Sequence, residues 1–295
     1  MGASSGSHIV VLSRNPQQFL DVYPEFSGHT SITFLTGDIQ QRDTLPWGLS
    51  FTHVLHAATD STIGPSLTPL QCFDQIVDGT RNILDLASAT GARRFLLTSS
   101  GAVYGPQPPD IGVIPENWAG CPSLAQPTTA YGQGKRVAEH LCALYREAHG
   151  LEIIITRCFA FVGRDLPLNV HFAIGNFIRD ALTADAITVS GDGTPLRTYL
   201  DQRDLAHWLW ILLLEGHDGE TYNVGSDEVV SIAELAHRVR DLLAPEKPVR
   251  ILCSPQSNDG ARHRYVPDIQ KIQLLHGLSV RFPLSEAIVS AARVT

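Results

Sequence analysis

Two residues in the stretch AYGQGKRVAEHLCALYREAHG could carry a proton between them. Tyr131 and Lys135 stand four positions apart, so on a helix they project from one face, a single turn apart. An ammonium held there can lower the pKa of the phenol, and the resulting phenolate can take a proton from an alcohol at ordinary pH. About thirty residues upstream, LLTSSGAVYG ends a predicted buried strand on Ser100, whose hydroxyl can bond the same substrate oxygen. The Tyr-x-x-x-Lys spacing alone is also compatible with a surface aromatic and a satisfied strand-end hydroxyl. Its pairing with a serine at the carboxyl end of a strand is the more specific sign, because open α/β sheets bind ligands there.

The rest of the chain must position those groups. HIVVLS, TSITFLTGDI, FTHVLHAA, RRFLLTSS and LEIIITRCFAFVG read as short strands. Between them, NPQQFLDVYPEF, FDQIVDGTRNILDLASATG and the Tyr131 segment have helical patterning. Such alternation predicts an α/β fold with a parallel sheet and crossover helices. Gly91 marks one helix stop and Gly150 another, while Val137, Leu141, Leu144 and Tyr145 form an apolar face on the helix between 130 and 150. From about Leu166 the texture becomes more irregular, which predicts a smaller C-terminal lobe interleaved with the main sheet. No repeat or linker separates the two.

With 295 residues and 43% hydrophobic composition, the chain can bury a substantial core as one large or two modest domains. Its formal charge of −8 and pI near 5.8 argue against a nucleic-acid partner, since phosphate backbones call for a basic face. Cys72, Cys121, Cys142, Cys158 and Cys253 lack a C-x-x-C spacing and are odd in number, the pattern of reduced thiols in a cytoplasmic protein. No membrane span or secretion signal is expected. The histidines show no metal-ligand spacing, so no metal site is expected either.

Taken together, these motifs resemble the extended short-chain dehydrogenase/reductase superfamily, in its NAD-dependent epimerase/dehydratase branch acting on nucleotide sugars. The resemblance runs from about Ile9 onward, through GDI, HAAT, VDGTRNIL, SSGAVYG, YGQGK, RCFAFVG, GDGTPLRTYL and YNVGS. It implies a doubly wound, Rossmann-like parallel sheet, abbreviated at its N-terminus, over residues 1–165, with a mainly substrate-binding lobe over 166–295. It also implies NAD as cofactor, a nucleotide-sugar substrate and a homodimer paired through the Tyr131 helix and its neighbour.

Residue by residue, the resemblance makes Tyr131 the catalytic base. Lys135 holds the nicotinamide ribose and tunes the tyrosine, and Ser100 orients the substrate. Asp38 and Ile39 match the pair beside the adenine, and His56, Ala57 and Ala58 match the strand end against the cofactor. Arg197 and Arg264 are candidates for the sugar-nucleotide diphosphate, which a guanidinium fork can bind bidentately. His171 and Asn176 are expected beside the sugar pocket.

Four departures from the family pattern bear on function. Gly101 and Ala102 stand where family members that eliminate water or decarboxylate carry acidic residues, which favours a 4-epimerase or ketoreductase over a dehydratase. Ala160 replaces an asparagine expected near the diphosphate. Ser13 and Arg14 follow IVVL where a carboxylate would bind the ribose 2′-hydroxyl, and Arg14 leaves NADP possible.

The fourth departure is that HIVVLS corresponds to the family's second strand, so that residues 1–8, with GASSG, are a leader or a remnant of the glycine-rich turn. Three arrangements follow: a sheet closed up around HIVVLS, a strand supplied by a partner chain, or a fragment of a longer protein. The competing reading of function is a non-catalytic sugar-nucleotide-binding or regulatory protein that has lost its cofactor site.

Overall fold

The computed structural model describes residues 7–60, 67–253 and 264–293, so GASSG lies outside the described residues. In chain order the elements begin with β1 (Ile9–Ser13), α1 (Pro16–Val22), β2 (Ile32–Thr36), β3 (His53–His56), α2 (Pro69–Ala89) and β4 (Arg94–Ser100). They continue with α3 (Ala130–His149), β5 (Glu152–Cys158), β6 (Ala160–Val162), α4 (Ala173–Thr183), β7 (Ile187–Val189), β8 (Leu196–Arg197) and β9 (Tyr199–Asp201). The C-terminal part holds α5 (Gln202–Glu215), β10 (Thr221–Val224), β11 (Val230–Ser231), α6 (Ile232–Leu243), β12 (Val249–Ile251), β13 (Arg264–Tyr265), α7 (Gln270–His276) and α8 (Leu284–Ala292).

The main sheet has the order β10-β5-β4-β3 and is parallel throughout. Its centre reads as continuous apolar sequence because both faces are covered. Phe95 and Leu97 of β4 pack with Ile76, Ile83 and Leu84 of α2 and Ala138 and Leu141 of α3. Leu96, one residue out of phase, packs on the opposite face with Trp208 and Leu212 of α5, as the two-residue strand period demands. Each such fully buried side chain contributes about 1.5–3 kcal/mol relative to leaving it exposed. β10 comes from the C-terminal part of the chain and returns to pair with β5. A third core gathers α4, α6, α8 and β7 around Phe177, Ile178, Leu235 and Ile288.

The helix that precedes β4 begins on a capping box between Thr68 and Gln71 with Pro69 in its first turn, the arrangement that satisfies orphan N-terminal amides. It ends at Thr90, followed by Gly91 at φ +81°, as the glycine stop predicts. The run LEIIITRCFAFVG does not form one strand. It breaks at Phe159, and β6 leaves β5's sheet to pair with β9.

At the other edge the sheet is split. β1 pairs in parallel with β2, and among the described residues no ladder joins β1 to β3, so the closed-up sheet is not formed. Leu12 and Ile39 still reach the core that also takes Val54 of β3. Arg14, just past β1, donates to Asp60, just past β3, at 2.6 Å. Ile9 and Leu55 are consequently 39% and 38% exposed, unlike the fully buried middle of β4. No described helix is long and apolar enough to cross a membrane.

Candidate active site

β4 delivers Ser100 at its carboxyl end, where the side chain accepts from the Ala102 amide at 3.1 Å and caps a 3₁₀ turn over Gly101–Tyr104. That turn is the floor on which α3 lands. A Cβ at Gly132 would stand 2.8 Å from the Ala102 carbonyl, so the glycine after Tyr131 is what lets the helix start lie against the turn. Tyr131 is thereby brought close enough to Ser100 for the serine to act on the phenol's pKa, and both side chains line one cleft.

Lys135, one turn further along α3, is 3% exposed. Its ammonium donates to Thr59 Oγ1 at 2.9 Å and to the Thr98 carbonyl at 2.8 Å, and it lies 6.0 Å from the centre of the Tyr131 ring. The three expected catalytic groups therefore converge. Electrostatically the site departs from expectation, since burial raises the Tyr131 pKa and the Ser100 hydrogen bond only partly opposes it. Burial also lowers the pKa of Lys135 to about 8.

The Lys135 shift makes stability depend on pH. Folded Lys135 loses its proton near 8 and the unfolded residue near 10.5, so in that window the unfolded chain binds more protons and stability rises with pH. The unfolding free energy of the wild-type chain relative to Lys135→Met should increase by about 2 kcal/mol between about pH 8 and pH 10. Urea melts at both pH values read this difference, and a flat difference would show a solvated ammonium.

The residues expected around a dinucleotide form a second group. Asp38 caps its own loop, accepting from the Gln40 amide at 2.9 Å, and the Ile39 carbonyl accepts from Asn82 Nδ2 at 2.8 Å. His56 is buried with Nε2 3.1 Å from Thr80 Oγ1, and burial together with Lys135 lowers its pKa to about 3. The VDGTRNIL motif thus holds both strand ends. Ala57 and Ala58 follow β3 on the surface, and Arg14 is engaged with Asp60.

These residues fit a dinucleotide at one end only. Lys135, Tyr131 and Ser100 suit the nicotinamide ribose. At the diphosphate end, β1 is followed by Ser13, Arg14 and Asn15, which lead into the seven-residue α1. No described strand, glycine-rich turn and helix present amides there, as diphosphate binding requires.

Ser100 and Tyr131 open into a cleft of about 1060 Å³ between the main sheet and the C-terminal elements. His171 and Arg197 line it, as does Ala160. Two expected substrate residues are placed elsewhere. Asn176 accepts from Arg179 Nη1 at 3.0 Å on α4, outside the cleft lining. Arg264 donates to the Gly112 carbonyl at 3.1 Å and is also outside it. Behind the site lies a group that the motifs did not signal. Glu139 accepts from Ser99 Oγ at 2.6 Å and from Arg157 at 2.7 and 3.0 Å. Among the described residues no cluster of three or more His, Cys, Asp or Glu could hold a metal ion.

Known proteins are similar to this chain in sequence and in fold. Residues 3–225 match the NAD dependent epimerase/dehydratase family, and the chain belongs to that family. Over 262 residues it is 30% identical to UDP-glucuronic acid decarboxylase 1 of Danio rerio, covering 88% of this chain and 60% of that protein. It is 32% identical over 269 residues to UDP-glucuronic acid decarboxylase 5 of Arabidopsis thaliana, covering 91% of this chain and 76% of that one. In fold it is similar to dTDP-glucose 4,6-dehydratase of Streptomyces venezuelae, solved with NAD, at a TM-score of 0.82 and 22% identity, covering 98% of this chain and 88% of the other. A UDP-glucuronic acid 4-epimerase of Bacillus cereus, also solved with NAD, gives a TM-score of 0.81 and 21% identity, with 97% and 90% covered.

Proposed function

We propose that the chain is an NAD(P)-dependent oxidoreductase acting at one carbon of a nucleotide-activated sugar, as a 4-epimerase or ketoreductase rather than a dehydratase or decarboxylase. The observation that carries this reading is Ser100, Tyr131 and Lys135 converging at a cleft whose adjoining positions, Gly101 and Ala102, bear no carboxylate. Elimination or decarboxylation needs further acid and base groups at the sugar, and those positions supply none.

Ser100 and Tyr131 bind the reacting sugar hydroxyl, whose proton passes to Tyr131 in its phenolate form, leaving the neutral phenol. The buried Lys135 ammonium stabilises that phenolate before the transfer. Arg197 meets the diphosphate, and His171 borders the sugar. A nicotinamide, held at its ribose by Lys135 and Tyr131, would supply the hydride acceptor when bound. Arg14, paired with Asp60, favours NAD over NADP. The same reading carries a homodimer through α2 and α3, whose outer surface leaves Leu70, Val137 and Leu144 exposed.

The split sheet, without a described diphosphate cradle, favours the second reading of a nucleotide-sugar-binding protein without turnover. One assay separates them: UDP-glucose and UDP-glucuronate incubated with the chain and NAD, with products read by proton NMR. A 4-epimer or 4-keto product is expected. A UDP-pentose would overturn the redox-only reading, and binding without conversion would favour the second.

A further inference from the structure

We propose that Tyr265 is a substrate-contacting residue that takes the place of a side chain at position 101 and selects which sugar hydroxyls the cleft accepts. The inference deepens the proposed function and rests on it. β13 pairs with β8 in the register Arg264 with Leu196 and Tyr265 with Arg197. Paired residues of a ladder leave the same face of a sheet, so Tyr265 stands beside Arg197, and both line the cleft. Arg264, one residue earlier, goes the other way, which is why it reaches Gly112 instead.

The Tyr265 ring stacks on Phe159 with centroids 4.4 Å apart. Its hydroxyl lies 3.5 Å from the Cys158 carbonyl and 2.6 Å from the point where a Cβ on Gly101 would stand. Ser100 and Cys158 are themselves register partners, so the phenol crosses the ends of β4 and β5 at the site itself. The Phe159 ring would also crowd that Cβ, at 2.8 Å. Position 101 therefore cannot carry an acid while Tyr265 is seated. What faces the sugar there is a phenol hydroxyl that can both donate and accept a hydrogen bond, where an ionised carboxylate could only accept. Tyr131 lies near enough for the two phenols to interact electrostatically.

The test compares wild type with Tyr265→Phe, a change that keeps the stacked ring and removes only the hydroxyl. Calorimetric titration uses whichever of UDP-glucose and dTDP-glucose binds wild type more tightly, and its monodeoxy analogues. The variant should bind the parent sugar about tenfold more weakly, the size of one lost hydrogen bond. One deoxy analogue, the one lacking the partner hydroxyl, should bind both proteins equally. The melting temperature without ligand should fall by a few degrees at most, since the hydroxyl's bond to the Cys158 carbonyl is also removed. Wild-type affinity of the variant for the parent sugar would overturn the proposal, as would an equal loss towards every analogue. Failure of the wild-type chain to bind any of these sugars would overturn the nucleotide-sugar reading itself, and this inference with it.

Discussion

Tyr131→Phe should lower turnover of the nucleotide sugar by about 10²–10⁴-fold, the range that a positioned general acid or base contributes. The substitution removes one oxygen from a ring that packs on the core shared by α2, α3 and β4, so the fold has no reason to change. Sugar binding should fall far less than turnover, because Arg197 and the rest of the cleft are untouched. The burial that raises the phenol's pKa also implies that the phenolate is the minor form, consumed when it takes the sugar proton and regenerated when Tyr131 gives that proton back. Single-turnover kinetics with wild type and variant, alongside a binding titration, separate the two effects. Full turnover by the variant would remove Tyr131 from the reaction.

Glu139→Ala should destabilise the chain by about 3–5 kcal/mol, the usual cost of removing one partner of a buried ion pair. Arg157 and Glu139 are only 16% and 12% exposed at their side chains. The guanidinium is pressed over the Tyr104 ring, 4.6 Å from its centre, and also donates to the Glu116 carbonyl at 3.0 Å. Without the carboxylate it would be an uncompensated charge in a tight space, and Ser99 Oγ would lose its acceptor. Urea denaturation measures the loss. The double variant Glu139→Ala with Arg157→Met should lose less than the single one, because no orphan charge remains. A loss below about 1 kcal/mol for Glu139→Ala would mean that water reaches Arg157.

How much of this was legible in the sequence depended on whether a residue sat on a long periodic element. Ser100, Tyr131 and Lys135 were readable because a seven-residue strand and a twenty-residue helix fix their directions. Glu139 lies on the same helix, one turn beyond Lys135, and that spacing alone could have drawn attention to it. Thr59, which accepts from Lys135, closes the HAAT motif at another strand end, and nothing local says that its hydroxyl meets the lysine. The sequence points Arg264 towards the diphosphate and is silent on Tyr265 for one reason. A two-residue strand has no visible alternation, so only its register with β8 reveals which of the pair faces the cleft. Asn176 stands outside the cleft lining, and its partner Arg179 lies three residues along the same helix, a local pairing that gives no sign of what the helix faces.

The divided sheet places the candidate ligand-binding residues on parts of unequal firmness. Asp38 and Ile39 follow a two-stranded ribbon, an arrangement marginal by itself, secured to the remainder by side chains such as Leu12, Arg14 and Asn82. Ser100, Tyr131 and Lys135 stand on strands and helices held within the main sheet and its covering layers. The ribbon can therefore swing outward without breaking any ladder of the main sheet, an opening drawn from the low end of the molecule's free-energy scale. A molecule grasped from both sides would experience an affinity scaled by the fraction of time the ribbon is in place.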